Sequence, residues 1–398
     1  MEKGNVLVIG NSGVGKSTLI NAVLGEEKAE TGWGTKGTTG ELTIHGNEDT
    51  PFRIIDTVGF EPSFLKARQA INAVQKWSQN SAKEGQEDNQ INVIWFCVEG
   101  TSSKLFPKTV NDLSAATSMW KSVPVIVVIT KSYSVPEREK NIEMVNNAFA
   151  KQKRYLKNLR KVIPVVASTY VLNDDAYAAP EGITELIDAT NELMPEGLKA
   201  GEIDISAFKL GRKRALAHGV TAASTVAAVV VGAVPIPFAD AAILAPIEML
   251  EVNSLAKIYG IGKNEKSKQF LNSIVEVGTA GMVAKAAISS LKAIPGINLG
   301  ASVLNAIIAG SIVAALGEGA IYAFEQISLG NKSVEDIDWI KKIMELQLSS
   351  KFMDSVKVIA EKATDNIDKN SLAQIITSAF KGSSISTSNK NDAEASIC

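Results

Sequence analysis

The stretch GNSGVGKS at residues 10–17 fills the phosphate-loop pattern G-x-x-x-x-G-K-[ST] at every position. Its chemistry follows from the residue types. The glycines let the backbone curl, so that N–H groups from Asn11, Ser12, Gly13, Val14 and Gly15 can converge on a β-phosphate. Lys16 reaches the β- and γ-phosphates, and the Ser17 hydroxyl is a ligand for Mg²⁺. Both flanks agree with this reading. NVLVI at 5–9 is a short apolar run expected to form a strand, and KSTLINAVLG at 16–25 has helical spacing and ends in a glycine. A phosphate would therefore meet a helix N-terminus, where unpaired N–H groups and the helix dipole favour an anion.

The whole chain sets bounds on this reading. Its 398 residues suggest about two domains. A hydrophobic content of 45% with 21% charged residues fits a globular, somewhat apolar chain. The net charge of −2 gives no basic field, so a nucleic-acid partner is not expected. The two cysteines, Cys97 inside INVIWFCV and Cys398 at the end, suit neither a disulfide framework nor a zinc site. A reducing compartment follows, and the early strand leaves no room for a signal peptide, so a cytoplasmic location is expected. His45 and His218 are too few and too isolated for a metal site or a triad.

The first half alternates apolar runs with polar helical stretches. Strands are predicted at 5–9, 41–45, 52–56, 91–98, 123–129 and 162–167, and helices near 16–24, 63–77, 107–119, 136–159 and 182–193. The polar residues 78–90 read as a loop, and the basic run 151–161 as a solvated helix face. Such alternation predicts an α/β fold with a mostly parallel sheet covered on both faces.

Phosphate loops serve several enzyme classes, so other residues must choose among them. DTVG at 56–59 follows the apolar run FRII; Asp56 can hold magnesium through water, and the Gly59 N–H can turn toward a γ-phosphate. Between these motifs lies TGWGTKGTTGE at 31–41, rich in glycine and threonine, with Thr38 and Thr39 as candidate Mg²⁺ ligands.

With GNSGVGKS, GTT before a strand and DTVG in place, residues 1–194 resemble a small GTPase of the Era/TrmE-like group. The resemblance implies GTP or GDP with Mg²⁺. It makes Thr39 the switch threonine on the metal, with Thr38 the alternative, and places Thr18 at the α-phosphate. Lys16 and Thr39 are then the residues expected to act on the γ-phosphate.

Gly13 and Tyr133 depart from the group's pattern, and Phe60 departs from that of Ras-type enzymes, a hydrophobic residue there being usual in the resembled group. Phe60 follows DTVG where Ras-type enzymes carry a water-orienting glutamine, which implies slow hydrolysis. Gly13 stands where an asparagine supports potassium-assisted hydrolysis. The base-reading box [NT]-K-x-D is represented by TKSY at 130–133: Thr130 and Lys131 fit, but Tyr133 replaces the aspartate that would accept two hydrogen bonds from guanine. VAST at 166–169 sits where a backbone N–H would meet guanine O6, with Ser168 the candidate.

After Pro195 the composition changes. Residues 196–214 read as a linker into a helix ending in GRKR, followed by an Ala/Val/Gly-rich region to residue 380 and a polar, serine-rich tail from 381. Residues 232–262, with PIPFAD at 235–240, resemble the core of a bacterial domain of unknown function found fused to such GTPase domains and in membrane-associated proteins. The two prolines predict a helical hairpin, 215–234 and 239–259. The first arm is long enough to span a bilayer and follows a basic cluster, while Glu248, Glu251 and Lys257 give the second an amphipathic character. An apolar stretch at 297–317 and an amphipathic helix over 332–365 complete the region. A soluble all-α bundle and one associated with the inner face of the membrane both fit. The expected function is a slow GTPase switch coupled to this helical domain, acting on a membrane, a second copy or a protein effector. The alternatives are a nucleotide-binding scaffold with little hydrolysis and an ATP-specific site.

Overall fold

The computed structural model describes residues 3–25, 42–46, 48–57, 90–101, 122–151, 157–173, 176–234, 241–262, 264–279, 299–348 and 350–381. The expected helices at 63–77 and 107–119, the segment 31–41, Gly59, Phe60, PIPFAD and the tail beyond 381 lie outside these residues. The chain divides into two compact units. One comprises Met1–Tyr170 with Pro180–Lys213, the other Val171–Ala179 with Arg214–Cys398.

The first unit is built on a six-stranded sheet. Its strands are β1 (Asn5–Ile9), β2 (Leu42–His45), β3 (Arg53–Thr57), β4 (Ile91–Glu99), β5 (Val125–Thr130) and β6 (Leu159–Pro164), in the order β2-β3-β1-β4-β5-β6. All pairings are parallel except that of β2 with β3. Every residue of β1 and β5 is buried, as expected of parallel strands covered on both faces. Helix α1 (Lys16–Leu24) buries Lys16, Leu19, Ile20, Val23 and Leu24, one face of a 3.6-residue period. Helices α2 (Val135–Ala150) and α3 (Ile183–Leu193) pack on β6, and α3 also meets β4 and α1. Trp95 in β4 is fully buried because its indole N–H finds the Thr190 hydroxyl of α3 at 2.9 Å.

Strand β6 differs from the expectation. It begins at Leu159, so the last residues of the basic run 151–161 belong to a strand and not to a helix face. Arg160 and Lys161 are exposed at this end of the sheet. Charged side chains on an edge strand discourage pairing with another chain, which accounts for the composition there. A short hairpin of β7 (Tyr170–Asn173) and β8 (Ala176–Ala178) has no counterpart among the expected elements.

Helix α4 (Glu202–Gly232) contributes residues 202–213 to the first unit and 214–232 to the second. The stretch expected as a linker is therefore helical from Glu202, through GRKR. In the second unit, α7 (Ala301–Ser328) is the central helix. Around it lie α5 (Ala241–Tyr259), α6 (Glu265–Thr279), α8 (Ile337–Gln347), α9 (Ser350–Lys362) and α10 (Lys369–Phe380). The 332–365 stretch is two helices, α8 and α9, broken around Leu348.

The amphipathic reading of α5 holds for Lys257, which is exposed, and is corrected for its two glutamates. Glu248 and Glu251 are 1% and 0% exposed. They face the inside of the bundle together with Glu318 and Glu325, which sit seven residues apart on α7. Part of this charge is paired. Arg214 donates two hydrogen bonds to Glu325, at 2.5 and 2.6 Å, and the His218 ring is 2.8 Å from Glu318. Gly317 leaves room for Glu251: a Cβ there would lie 2.3 Å from a Glu251 oxygen and 2.5 Å from the Thr221 hydroxyl.

Candidate functional site

The loop after β1 leaves the sheet at the strand's carboxyl end. There β1 is flanked by β3 on one side and β4 on the other, the point in an open α/β sheet where ligands bind. Gly13 and Gly15 take left-handed backbone conformations, φ 80° and 96°, which side-chain-bearing residues adopt only with strain. Gly10 is required for a different reason: a Cβ would stand 2.5 Å from the Cys97 carbonyl oxygen of β4. The sheet and the loop are thus in direct backbone contact.

Helix α1 begins at Gly15 with no side-chain cap and no acidic residue in its first turn. Its N-terminal N–H groups face an anion site without competition from a local carboxylate. Asn11 is half-buried, Ser12 and Gly13 are exposed, Val14 is buried and Gly15 half-buried. Ser17 and Thr18 are exposed on the first turn. Lys16 is 9% exposed, and its ammonium donates to the carbonyls of Gly10 at 3.0 Å and Asn11 at 3.2 Å. The charge is therefore drawn into the curl of the loop. Asp56 lies at the end of β3, in register with Val8 of β1. Lys16 and Asp56 both act on the buried Cys97 thiol, with opposite sign. Burial pushes that thiol up to about 12, Lys16 draws it down and Asp56 raises it further. Both charges accordingly lie near the same point under the loop.

The end of β5 is locked onto this loop. The Thr130 hydroxyl faces the carbonyls of Val14 and Val98. Lys131 donates to the Gly13 carbonyl at 2.9 Å and to Glu99 at 2.8 Å. The Lys131 ammonium beside Glu99 holds that carboxyl below its ordinary range, with a smaller contribution from the Thr101 hydroxyl. Lys131 is the one described non-glycine residue with a positive φ, 52°. A conformation of this kind costs on the order of 1–3 kcal/mol and persists where the surroundings hold it. Here the two bonds of the Lys131 ammonium do so.

Ser132 is buried and joins this segment to the one after β6, its N–H donating to Val165 at 3.2 Å. Tyr133 follows, its ring stacked on that of Tyr170 with centroids 4.1 Å apart and planes 12° apart. Burial raises the Tyr133 phenol above its ordinary value; Tyr170 and Glu99 add to the rise and Lys131 opposes it. Arg138 of α2 braces the turn, donating to the Ser132 carbonyl at 2.8 Å and pairing with Glu181.

The structure thus brings Lys16, Gly13, Gly15, Thr130 and Lys131 together. It places Ser168 at an exposed bend two residues before Tyr170. Thr39 and Gly59 lie outside the described residues. Sequence reasoning missed Glu99 and Tyr170. A lone acid closing an apolar strand was a signal for the first; nothing local pointed to the second.

A Ser17 hydroxyl and an Asp56 carboxylate are hard oxygen donors, the set that suits Mg²⁺, which keeps most of its waters and takes few protein ligands. Among the described residues no group of three or more His, Cys, Asp or Glu could hold a metal by itself.

Residues 5–131 match the family model described as 50S ribosome-binding GTPase, and residues 207–349 match a domain of unknown function (DUF697). The chain is similar to GTPase Era of Clostridium botulinum, 25% identical over 206 residues, covering 50% of this chain and 58% of the relative. It is similar to the tRNA modification GTPase MnmE of Cytophaga hutchinsonii, 27% identical over 229 residues, covering 52% and 46%. It also resembles GTPase Der of Neisseria meningitidis, 41% identical over 91 residues, covering 22% and 17%. The chain spans little more than half the length of the Era relative it matches. A solved probable GTP-binding protein, engB, aligns with 48% of this chain and 98% of its own, at 18% identity and a TM-score of 0.32. The first half thus combines a match to a GTPase family model with a mostly parallel sheet that carries a phosphate loop, and a helical region follows it.

Proposed function

We propose that this chain, in which a GTPase-type P-loop domain is joined to an apolar helical domain, is a Mg²⁺-dependent nucleotide switch with slow hydrolysis. The observation that carries this reading is the buried Lys16 ammonium. It is held on two carbonyls of a loop that curls through left-handed glycines and is clamped from behind by Thr130 and Lys131. Such a loop presents backbone donors and a cation to a phosphate chain.

In this reading the N–H groups from Asn11 to Gly15 cradle the β-phosphate, Lys16 spans the β- and γ-phosphates, and Thr18 meets the α-phosphate. Ser17 and Thr39 ligate Mg²⁺, and Asp56 holds it through water. When bound, the metal neutralises charge that develops between the β- and γ-phosphates. Gly59 meets the γ-phosphate, and Thr130, Lys131 and Ser168 frame the base. Phe60 supplies no group that can orient water, which sets the slow rate. The proposed division is a GTPase domain at 1–195, a joining segment at 196–214 and a helical domain at 215–380. Phosphate release measured with GTP and Mg²⁺ is expected to be slow and to vanish in Lys16→Ala. Equal release by both proteins would remove the enzyme reading.

A second reading concerns the output. Helices α4 and α7 are both long and apolar enough to cross a bilayer. In α7, 94% of the most apolar window is buried, the position of a bundle's central helix; in α4 only 50% is. This favours a cytoplasmic bundle that meets the inner membrane face through α4. Flotation of the full chain with anionic vesicles, in GDP and in a non-hydrolysable GTP analogue, tests it. Nucleotide-dependent flotation supports the coupling, and protein that stays at the bottom of the gradient in both states removes the membrane.

A further inference from the structure

We infer that Tyr133, its ring plane set by the stack on Tyr170, is the base-edge contact of the nucleotide site. It makes this a purine site that accepts guanine, hypoxanthine and adenine instead of one selective for guanine. The inference rests on the nucleotide reading of the loop proposed above.

The placement comes from anchoring. Thr130 and Lys131 are bonded to Val14 and Gly13, so the segment that ends in Tyr133 is fixed to the phosphate loop itself. The segment after β6 runs beside it, Val165 donating to Ile129 at 2.7 Å and Ser132 to Val165 at 3.2 Å. Five residues on, that segment delivers Tyr170, and the two rings meet nearly parallel at 4.1 Å. Tyr170 is 45% exposed, so the pair stands at the rim of the first unit and not in its core. Two aromatic rings from separate segments are thereby held at the end of the β5 loop, each limiting the rotation of the other.

The chemistry of a phenol decides what this rim can read. Guanine presents two adjacent donors on its Watson–Crick edge, N1–H and the 2-amino group. A carboxylate accepts both in parallel; a phenol oxygen occupies one position and cannot. Hypoxanthine keeps N1–H and lacks the 2-amino group, so a phenol receives it as well as guanine. Adenine offers N1 as an acceptor, and the same hydroxyl turns to donate, which offsets part of the mismatch between the adenine 6-amino group and a backbone N–H at 166–169 that suits guanine O6. A phenol carries its proton at neutral pH in any case, and the upward direction of the shift at Tyr133 leaves that unchanged.

The experiment is competition of GDP, IDP and ADP against a fluorescent GDP in Mg²⁺ buffer, with Lys16→Ala as the control. The wild type should bind GDP and IDP within about threefold of each other, and ADP within about tenfold. Tyr133→Asp should raise both the GDP/IDP and the GDP/ADP ratio by about tenfold or more. Tyr133→Phe keeps the stack and removes the hydroxyl. It should weaken GDP and ADP by a similar factor, about 2–10-fold, and leave their ratio unchanged. A wild type that prefers GDP over IDP by more than about 30-fold overturns the inference while the nucleotide site stands. Unchanged affinities in Tyr133→Phe overturn it as well, and decide the matter if Tyr133→Asp does not fold. Binding by wild type no better than by Lys16→Ala removes the nucleotide reading itself.

Discussion

Replacing Glu248 by glutamine should make the helical unit more stable at neutral and alkaline pH and change it by less than about 1 kcal/mol at pH 5. Glu248 is 1% exposed on α5, and burial alone raises its carboxyl from 4.5 to about 7. Its neighbour Glu251 is also raised well above the ordinary value. Burial is the largest cause there; the charges of Glu248 and Glu318 add to it, and the Thr221 hydroxyl opposes it. A carboxyl with a raised folded value binds its proton more tightly in the folded state. Stability is therefore greatest below 4.5 and declines as the unfolded chain ionises and the folded one does not. The decline runs from 4.5 to about 7 for Glu248 and ends once both states are ionised. Across that window the stability falls by about 1.4 kcal/mol for each pH unit, so Glu248 accounts for a loss of about 3 kcal/mol. In a protein unit of this size that corresponds to a melting-temperature change of about 6–12 °C. Glu251 steepens the fall.

The assay is hydrogen exchange of α5 and α7 peptides in the full chain at pH 5, 6.5 and 8, corrected for intrinsic exchange. Wild-type protection should fall with pH, and Glu248→Gln should flatten the fall. Protection that rises from pH 5 to 8, or identical slopes in both proteins, refutes the reasoning.

Other outcomes follow from single contacts. Arg214→Ala should cost about 2 kcal/mol in chemical denaturation, because it strips two charged hydrogen bonds from Glu325, which is 9% exposed. Loss below about 0.5 kcal/mol contradicts the bidentate pair. Gly232→Val should destabilise by about 1–3 kcal/mol, since a Cβ there meets Ala309 at 2.7 Å and the Asn305 carbonyl at 2.9 Å. A neutral effect means that α4 and α7 do not approach so closely. In a Cys398→Ser background, Cys97 should resist thiol reagents until the protein unfolds, as a buried thiol raised to about 12 is not a nucleophile. Rapid labelling of the folded protein argues against a sealed floor beneath the loop.

The sheet was legible because parallel strands covered on both faces become uninterrupted apolar runs; β1, β3, β4 and β5 fall within a residue or two of the expected ranges. The phosphate loop was legible because its glycines and Lys16 form a local pattern, and the left-handed φ values of Gly13 and Gly15 follow from it. Long-range pairings were not. Tyr133 signals that a carboxylate is missing, but its partner Tyr170 lies 37 residues away beyond a strand, and no periodicity connects them. Charge misled twice. Arg160 and Lys161 disguised an edge strand, and Glu248 and Glu251 suggested a solvated face on a helix that turns both inward. The start of α4 was hidden by the mixed composition from Glu202 to GRKR, which has no apolar stripe to mark a helix; Ile203 there is 84% exposed.

The central claim is that the loop at residues 10–17 binds a nucleotide through phosphate and Mg²⁺. Calorimetric titration of the full chain with GDP, in Mg²⁺ and in EDTA, tests it most directly. Saturable one-to-one binding, weakened by about tenfold or more both in Lys16→Ala and on chelation, is the predicted result. Binding of equal strength in wild type and Lys16→Ala contradicts it, as does no heat at millimolar nucleotide.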